Sequence, residues 1–240
     1  MESVPLAITM PARPALLTCL IIASTLGAIA GALLGGQWIW LHYICKPLAT
    51  VLVLWLALGA SSPVSPRYKR LVCISLVFSL AGDVFLMLPR DLFLPGLGAF
   101  LLAHLCYMVA FFPGSDARTR STSIALFAVF GVANLAGLLP RLESAMRVPV
   151  IAYVIALLLM AGFALARARS LRAREGATYA IAASARMAAI GAAFFVASDT
   201  LLAWNRFGGG IPLASLWVLA TYFIAQWYIA RSVDLQAGGN

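Results

Sequence analysis

The sequence predicts an all-α membrane protein: a polytopic bundle of eight transmembrane helices with both termini in the cytoplasm. Of its 240 residues, 63% are hydrophobic and only 10% are charged, whereas soluble domains are about 45–50% apolar and about 25% charged. The apolar runs are continuous and reach the roughly 20 residues that cross a bilayer as a helix. No polar stretch is long enough for a separate soluble core, so we expect one transmembrane domain over residues 1–240.

Glycine and proline, which commonly end helices, divide the chain into these spans. The first apolar run exceeds the ~7–15 apolar residues of a signal peptide, so it is interpreted as a membrane helix. The predicted spans are about 14–34, 38–58, 71–88, 96–112, 122–139, 148–166, 178–203 and 212–231. In chain order, the breaks carry Gly35-Gly36, Pro63 and Pro66, Pro89 and Pro95, Pro113-Gly114, Pro140, an arginine-rich loop over 167–174, and Gly208 to Pro212.

The basic residues predict the orientation, because cytoplasmic loops of membrane proteins are enriched in Lys and Arg. Eleven fall on the side that holds both termini and four on the other side. The net charge of +9 is therefore explained by topology and does not indicate a nucleic-acid partner. The cytoplasmic set is Arg13, Arg67, Lys69, Arg70, Arg118, Arg120, Arg167, Arg169, Arg172, Arg174 and Arg231; the opposite set is Arg90, Arg141, Arg147 and Arg206.

Two aspartates lie within otherwise apolar spans, Asp83 in the third and Asp199 in the seventh. A charge near the bilayer centre costs ~2.5–3.5 kcal/mol or more, so such residues usually face a protein interior or a water-filled cavity. An arginine follows each aspartate seven positions later, as Arg90 and Arg206. We expect the two carboxylates to be the centre of a functional site. The alternative is that each only pairs with a basic residue and holds helices together.

Polar residues of five spans converge on the non-cytoplasmic half of the bilayer. A helix rises ~1.5 Å per residue, which converts a sequence position into a depth. On this scale Asp199 lies roughly 6 Å from the non-cytoplasmic end of its span, Asp83 roughly 8 Å, Lys46 and His104 roughly 12 Å, and Tyr107 and Tyr222 somewhat deeper.

Each of the other polar residues has a functional and a structural interpretation. Lys46 is interpreted as a counter-ion of Asp83 or a phosphate anchor, and the alternative is that it extends to the interface. His104 with Tyr107, and Tyr222 with Gln226, share helix faces and either belong to the site or only pack through hydrogen bonds.

Histidine and cysteine do not predict a metal site. His42 lies beside Trp38, Trp40 and Tyr43 and is assigned to an interfacial aromatic belt. No HxxxH or CxxC spacing is present, so the cysteines are expected to pack as small apolar residues. The cysteines are Cys19, Cys45, Cys73 and Cys106.

Spans three and seven suggest an internal duplication. Both read Gly/Ser-Asp-x-x-Leu before an arginine, and each following span carries one of the polar-aromatic pairs. The hypothesis is a parallel four-plus-four repeat.

These polar segments resemble the lysoplasmalogenase family of eight-span membrane proteins, also called the YhhN or TMEM86 family. Any one segment is weakly specific, but together they are specific and follow the family's order from span two to span eight. The matching segments are Lys46–Leu48, Gly82–Leu88, Phe100–Tyr107, Gly191–Asp199, Arg206-Phe207 and Tyr222–Gln226.

The resemblance implies a hydrolase that cleaves the vinyl ether bond of lysoplasmalogens to a fatty aldehyde and glycerophosphoethanolamine or glycerophosphocholine. A vinyl ether hydrolyses by protonation of its β-carbon and capture of the oxocarbenium ion by water. This chemistry needs one protonated carboxyl group and one carboxylate, as in glycosidases. Asp83 is assigned as the acid because it lies deeper, and Asp199 as the base; the reverse assignment stays open.

The remaining matching residues are assigned to binding a lysophospholipid that enters from the bilayer, and no cofactor is required. The expected location is the inner membrane of a bacterium. Two other functions stay open: a small transporter that uses the aspartates as a proton or substrate relay, and a lipid-binding scaffold without catalysis. The assigned substrate-binding residues are Lys46, His104, Tyr107, Ser198, Arg206, Tyr222 and Gln226.

Overall fold

Eight α-helices connected by short loops make up the computed structural model of the chain, which describes residues 12–174 and 176–238. The predicted all-α class is confirmed, and these described residues contain no β-strand. Three short 3-10 helices occupy Gly36–Trp38, Leu139–Arg141 and Leu235–Gly238. The α-helices are α1 (Ala12–Leu34), α2 (Ile39–Leu58), α3 (Pro66–Met87), α4 (Phe93–Phe111), α5 (Ala117–Leu138), α6 (Ser144–Ala173), α7 (Tyr179–Phe207) and α8 (Ala214–Arg231).

Side-chain caps fix where some of the helices begin. At the start of α3, the Ser65 hydroxyl accepts a hydrogen bond from the backbone N–H of Tyr68 at 3.1 Å. At the start of α5, Oδ1 of Asp116 accepts one from the N–H of Thr119 at 2.8 Å. These bonds satisfy N–H groups that lack a partner within the helix. The hydrogen bonds from Thr119 also hold the pKa of Asp116 below its ordinary value.

Several helices extend beyond the predicted spans. The prediction of a loop over 167–174 is wrong, because α6 continues to Ala173. Alanine, leucine and arginine are strong helix formers, so the helix outlasts its apolar run. Similarly, α3 begins at Pro66 and α7 ends at Phe207. Hydrophobicity therefore marked the part of each helix that suits a bilayer and missed its charged ends.

Seven of the described helices, α1 to α7, are long and apolar enough to cross a membrane, which identifies an integral membrane protein. Seven of the eight predicted spans are thus supported. The remaining helix, α8, has 18 residues, and Tyr222, Gln226 and Arg231 lower its apolar character. Tyr222 and Gln226 are buried among other helices, so much of the polarity of α8 faces protein.

Packing brings distant parts of the chain together around α3 and α7. Consecutive helices pair as α1 with α2, α3 with α4, α5 with α6, and α7 with α8. Further contacts join α2 to α3, α6 to α7, α4 to α6 and α8 to α2. As a result α3 contacts α2, α4 and α8, whereas α7 contacts α5, α6 and α8.

A cluster of aromatic rings packs beside the two aspartate-bearing helices. The ring of Phe195 on α7 lies edge-on to both His104 and Tyr222, with centroid distances of 4.8 Å and 5.5 Å. Phe100 of α4 packs against α3 at Gly82, where a Cβ atom would lie only 2.6 Å from the ring. Gly82 therefore permits the close approach of α4 immediately before Asp83.

Candidate functional site

Both aspartates of the apolar spans line one cavity of about 180 Å³. The walls come from α2, α3, α4, α7 and α8. Helices far apart in sequence therefore place their polar side chains around a shared space. The polar lining residues are His42, Lys46, Asp83, Ser198, Asp199, Asn205, Ser215 and Tyr222.

Asp83 is buried on α3 and is surrounded by donors. Its Oδ2 accepts hydrogen bonds from the hydroxyl of Thr50 at 2.6 Å and from the hydroxyl of Tyr222 at 2.7 Å. The Lys46 ammonium lies 3.4 Å from Oδ1 and 3.4 Å from the backbone oxygen of Asp83. Lys46 and Thr50 are one turn apart on α2, so one helix face supplies both the charge and the hydroxyl.

Tyr222 connects Asp83 to two further buried side chains. Its hydroxyl oxygen accepts a hydrogen bond from Nε2 of Gln226 at 3.0 Å. Oε1 of Gln226 in turn accepts one from the Tyr107 hydroxyl at 2.8 Å. Because Gln226 donates to Tyr222, the Tyr222 proton is free to point at Asp83. Tyr107 and Gln226 thus orient Tyr222 from behind and do not line the cavity.

Asp199 on α7 has different partners. Its Oδ2 accepts a hydrogen bond from the Tyr153 hydroxyl at 2.6 Å. Nε2 of His104 lies 2.9 Å from that hydroxyl and 3.4 Å from Oδ2 of Asp199. Since Tyr153 gives its only hydroxyl proton to Asp199, Nε2 of His104 must carry a hydrogen and donate it. Nδ1 of His104 is buried and has no hydrogen-bond partner among the described residues.

The two carboxylates therefore differ in charge environment. The Asp83 side chain is 1% exposed and lies beside an ammonium group. The Asp199 side chain is 11% exposed, and within the described part of the chain it forms no ion pair with a lysine or arginine. Electrostatic interactions are stronger in a low-dielectric interior than in water. Two residues of the same type thus lie in different electrostatic surroundings.

Of the two other predicted site residues on α7, Ser198 lies at the cavity and Arg206 lies outside it. Ser198 lines the cavity and donates to the backbone oxygen of Val218 at 3.0 Å, which ties α7 to α8. Arg206 does not line the cavity. Its Nη2 instead donates to Oδ2 of Asp91 at 2.7 Å in an exposed ion pair. This hydrogen bond holds the pKa of Asp91 below its ordinary value.

Five residues of the site were missed by reasoning from sequence: His42, Thr50, Tyr153, Asn205 and Ser215. His42 lines the cavity rather than only belonging to an aromatic belt, and its Nδ1 donates to the backbone oxygen of Ala28 at 3.0 Å. Thr50 lies one turn after Lys46, and Tyr153 is the only tyrosine of α6. Thr50 could have been found from its position one helical turn after Lys46, and Tyr153 from being an isolated polar group in an apolar helix.

No three His, Cys, Asp or Glu side chains come together in an arrangement that could hold a metal ion, as far as the described residues extend. The four cysteines carry free thiols and do not line the cavity. The polar groups of the site thus interact with one another through hydrogen bonds and one buried ion pair.

A model of the YhhN family matches residues 41–233 of the chain. This range covers every residue of both aspartate networks. No solved structure matches the chain.

Three relatives carry the name lysoplasmalogenase. "Lysoplasmalogenase TMEM86B" of Sus scrofa is 31% identical over 199 residues, which cover 82% of this chain and 76% of that protein. "Lysoplasmalogenase TMEM86A" of Homo sapiens is 30% identical over 197 residues, or 82% and 78% of the two chains. "Lysoplasmalogenase" of Mycobacterium bovis is 30% identical over 175 residues, or 69% and 61%. None of these three names describes a transporter, so the transport alternative gains no support from them.

Proposed function

The chain belongs to the YhhN family, and from this premise we propose that it is a membrane hydrolase that cleaves the vinyl ether bond of lysoplasmalogens. The products would be a fatty aldehyde and a glycerophospho-alcohol such as glycerophosphoethanolamine. The observation that carries the proposal is the pair of carboxylates, in unlike surroundings, on one cavity. Relatives named lysoplasmalogenase support the substrate class.

The reaction requires two proton transfers that a pair of carboxyl groups can perform. A protonated carboxyl group gives its proton to the β-carbon of the vinyl ether, which leaves an oxocarbenium ion. A carboxylate takes a proton from water as the water attacks that cation, and the resulting hemiacetal collapses to aldehyde and alcohol. The net reaction adds one water and uses no cofactor. Glycosidases divide labour between two carboxyl groups in the same way.

We assign Asp199 as the proton donor and Asp83 as the carboxylate. This reverses the assignment made from the depth of the two residues in their spans. The Lys46 ammonium, 3.4 Å away, balances a negative charge on Asp83. Two hydroxyl donors also direct their protons at Asp83. Asp199 is more exposed, is held in place by Tyr153 and His104 and lines the same cavity as Asp83. Water in the cavity can therefore return to Asp199 the proton that Asp83 takes up in each turnover.

The size of the cavity limits what it holds. At about 180 Å³ it is smaller than the ~300–1,000 Å³ of typical ligand pockets. It accommodates the ether bond and its neighbouring atoms and leaves the alkenyl chain in the bilayer.

Arg206, at the outer end of α7, is the proposed anchor for the headgroup phosphate. The phosphate would replace the exposed carboxylate of Asp91 as the partner of Arg206.

We further propose that α8 completes eight spans and that the chain is a parallel repeat of α1–α4 and α5–α8. In this repeat α2 corresponds to α6, and α4 to α8. Asp83 of α3 is bonded by side chains from α2 and α8, whereas Asp199 of α7 contacts side chains from α6 and α4. The contact of α4 with α6 likewise corresponds to that of α8 with α2. This symmetry of partners supports the repeat.

The function is tested with purified protein in lipid nanodiscs and two substrates, a lysoplasmalogen and its saturated alkyl ether analogue. We expect free aldehyde from the vinyl ether alone, since only the vinyl ether has a β-carbon that can be protonated. Absence of aldehyde from lysoplasmalogens with either ethanolamine or choline headgroups would contradict the proposal.

A further inference from the structure

A second cavity, of about 210 Å³, lies at the other end of the bundle from the aspartates. It is bounded by the start of α3, the end of α4, the end of α6 and the start of α7. From Tyr68, which lines it, to Asp83 is about 22 Å along α3 at ~1.5 Å per residue. The two cavities share no lining residue, so this second cavity is separate from the proposed active site.

The distinctive group of this cavity is a buried arginine. Arg167 is only 5% exposed, and its guanidinium carbon lies 4.8 Å from the centroid of the Tyr68 ring. Nη1 of Arg167 is buried without a hydrogen-bond partner, and none of the ion pairs among the described residues includes Arg167. A buried donor without a partner, especially a charged one, is costly. An acceptor that the protein itself does not supply would remove this cost.

The surroundings of Arg167 favour an anion. No acidic side chain lines the cavity, and exposed Arg67 adds a second positive charge at its edge. The cavity also contains the amino-terminal end of α3, where the helix dipole attracts negative charge. Gly114 also lines the cavity and adds no side chain to it; a Cβ atom there would lie 3.8 Å from Cγ of Arg167, in ordinary van der Waals contact.

We propose that this second cavity binds a phosphate group through Arg167, with Arg67 assisting at the entrance. Guanidinium groups bind phosphate oxygens through strong, charge-assisted hydrogen bonds. The volume suits a phosphate and its adjoining atoms rather than a whole lipid. The phosphate belongs either to an anionic phospholipid or to a free anion in the aqueous phase.

The test measures ligand binding, not catalysis, so its outcome is independent of the proposed function. Native mass spectrometry would count phosphatidylglycerol and phosphatidylcholine retained by the purified protein. A parallel arm would titrate inorganic phosphate into protein in phosphatidylcholine nanodiscs and record the melting temperature. The variants are Arg167→Gln and, as a matched control, Arg169→Gln, because Arg169 is exposed on the same helix and does not line the cavity.

We expect Arg167→Gln to lower the affinity of the retained phosphate ligand about 10–100-fold, because that is the loss expected for a hydrogen bond with a charged group. The control Arg169→Gln should leave this affinity unchanged. Selective retention of phosphatidylglycerol would identify a lipid headgroup; stabilisation by phosphate alone would identify a free anion. If Arg167→Gln does not fold, Arg67→Gln must weaken binding instead. Equal retention of both lipids with no effect of phosphate, or equal losses in Arg167→Gln and Arg169→Gln, would overturn the proposal.

Discussion

The hydroxyl of Tyr153 lies between Asp199 and His104 and is hydrogen-bonded to both. Its hydroxyl lies 2.6 Å from the carboxylate and 2.9 Å from the imidazole nitrogen, so it holds both groups in fixed orientations. It does not line the cavity and acts through Asp199. We therefore propose that Tyr153 is a positioning residue, and its loss should affect the reaction step more than substrate binding.

We expect Tyr153→Phe to lower kcat for aldehyde release by up to ~10²-fold, the scale of a small misplacement of catalytic groups, with little change in KM. Nε2 of His104, 3.4 Å from Asp199, would then bond the carboxylate directly and preserve part of the activity. Steady-state kinetics would measure both constants. Tyr179→Phe, at an exposed tyrosine, is the matched control. An unchanged kcat in Tyr153→Phe would exclude the positioning role.

Sequence reasoning found the residues whose polarity is unusual in a membrane span and missed those whose polarity is ordinary there. Asp83, Asp199 and Lys46 stand out because a buried charge is costly. Thr50 does not, because threonines in membrane helices commonly bond to their own backbone, as Thr25 does with Ile21. Only the packing of α2 against α3 directs the Thr50 hydroxyl at Asp83.

At the scale of the helices, the buried pair of Lys46 and Asp83 joins α2 to α3. Removing one member leaves an uncompensated buried charge, whereas removing both restores neutrality. We expect Lys46→Met and Asp83→Asn each to lower the melting temperature in detergent. The double variant should be more stable than the sum of the two single effects predicts, with a coupling of ~0.5–3 kcal/mol.

The exposed pair of Arg206 and Asp91 provides the control for this cycle. Both side chains face solvent, so Arg206→Gln and Asp91→Asn should change the melting temperature little, singly or together. Strict additivity of the Lys46 and Asp83 variants would show that the two helices are held by other contacts.

Helix centres were predictable from apolar runs, but helix ends were not. The predicted sixth span stops at residue 166, whereas α6 continues through Arg167 to Ala173. Those last turns carry charge outside the apolar run, where helix propensity and packing replace hydrophobicity as the determining forces. The second cavity lies at this end of the bundle, so the same error hid the burial of Arg167.

At the scale of the whole molecule, the proposed eight spans make a prediction about sidedness. The excess of Lys and Arg on one side predicts that both termini are cytoplasmic. Reporter fusions at Asn240 and Gly176 should report cytoplasm, and fusions at Glu143 and Gly209 the opposite side. A C-terminal reporter outside the cytoplasm, with the other three as expected, would mean that α8 does not cross the membrane.

The central claim is that the two aspartates on one cavity perform the hydrolysis. Its most direct test is the rate of aldehyde release from a lysoplasmalogen by purified Asp83→Asn, Asp199→Asn and Asp116→Asn. Asp116 lies outside the cavity, and asparagine can keep its capping role, so this variant controls for the chemical change itself. The account predicts a loss of ~10²–10⁴-fold in each of the first two variants, as for a lost general acid or base, and a normal rate in the third. Near-normal turnover by both Asp83→Asn and Asp199→Asn, in folded and membrane-inserted protein, would contradict it.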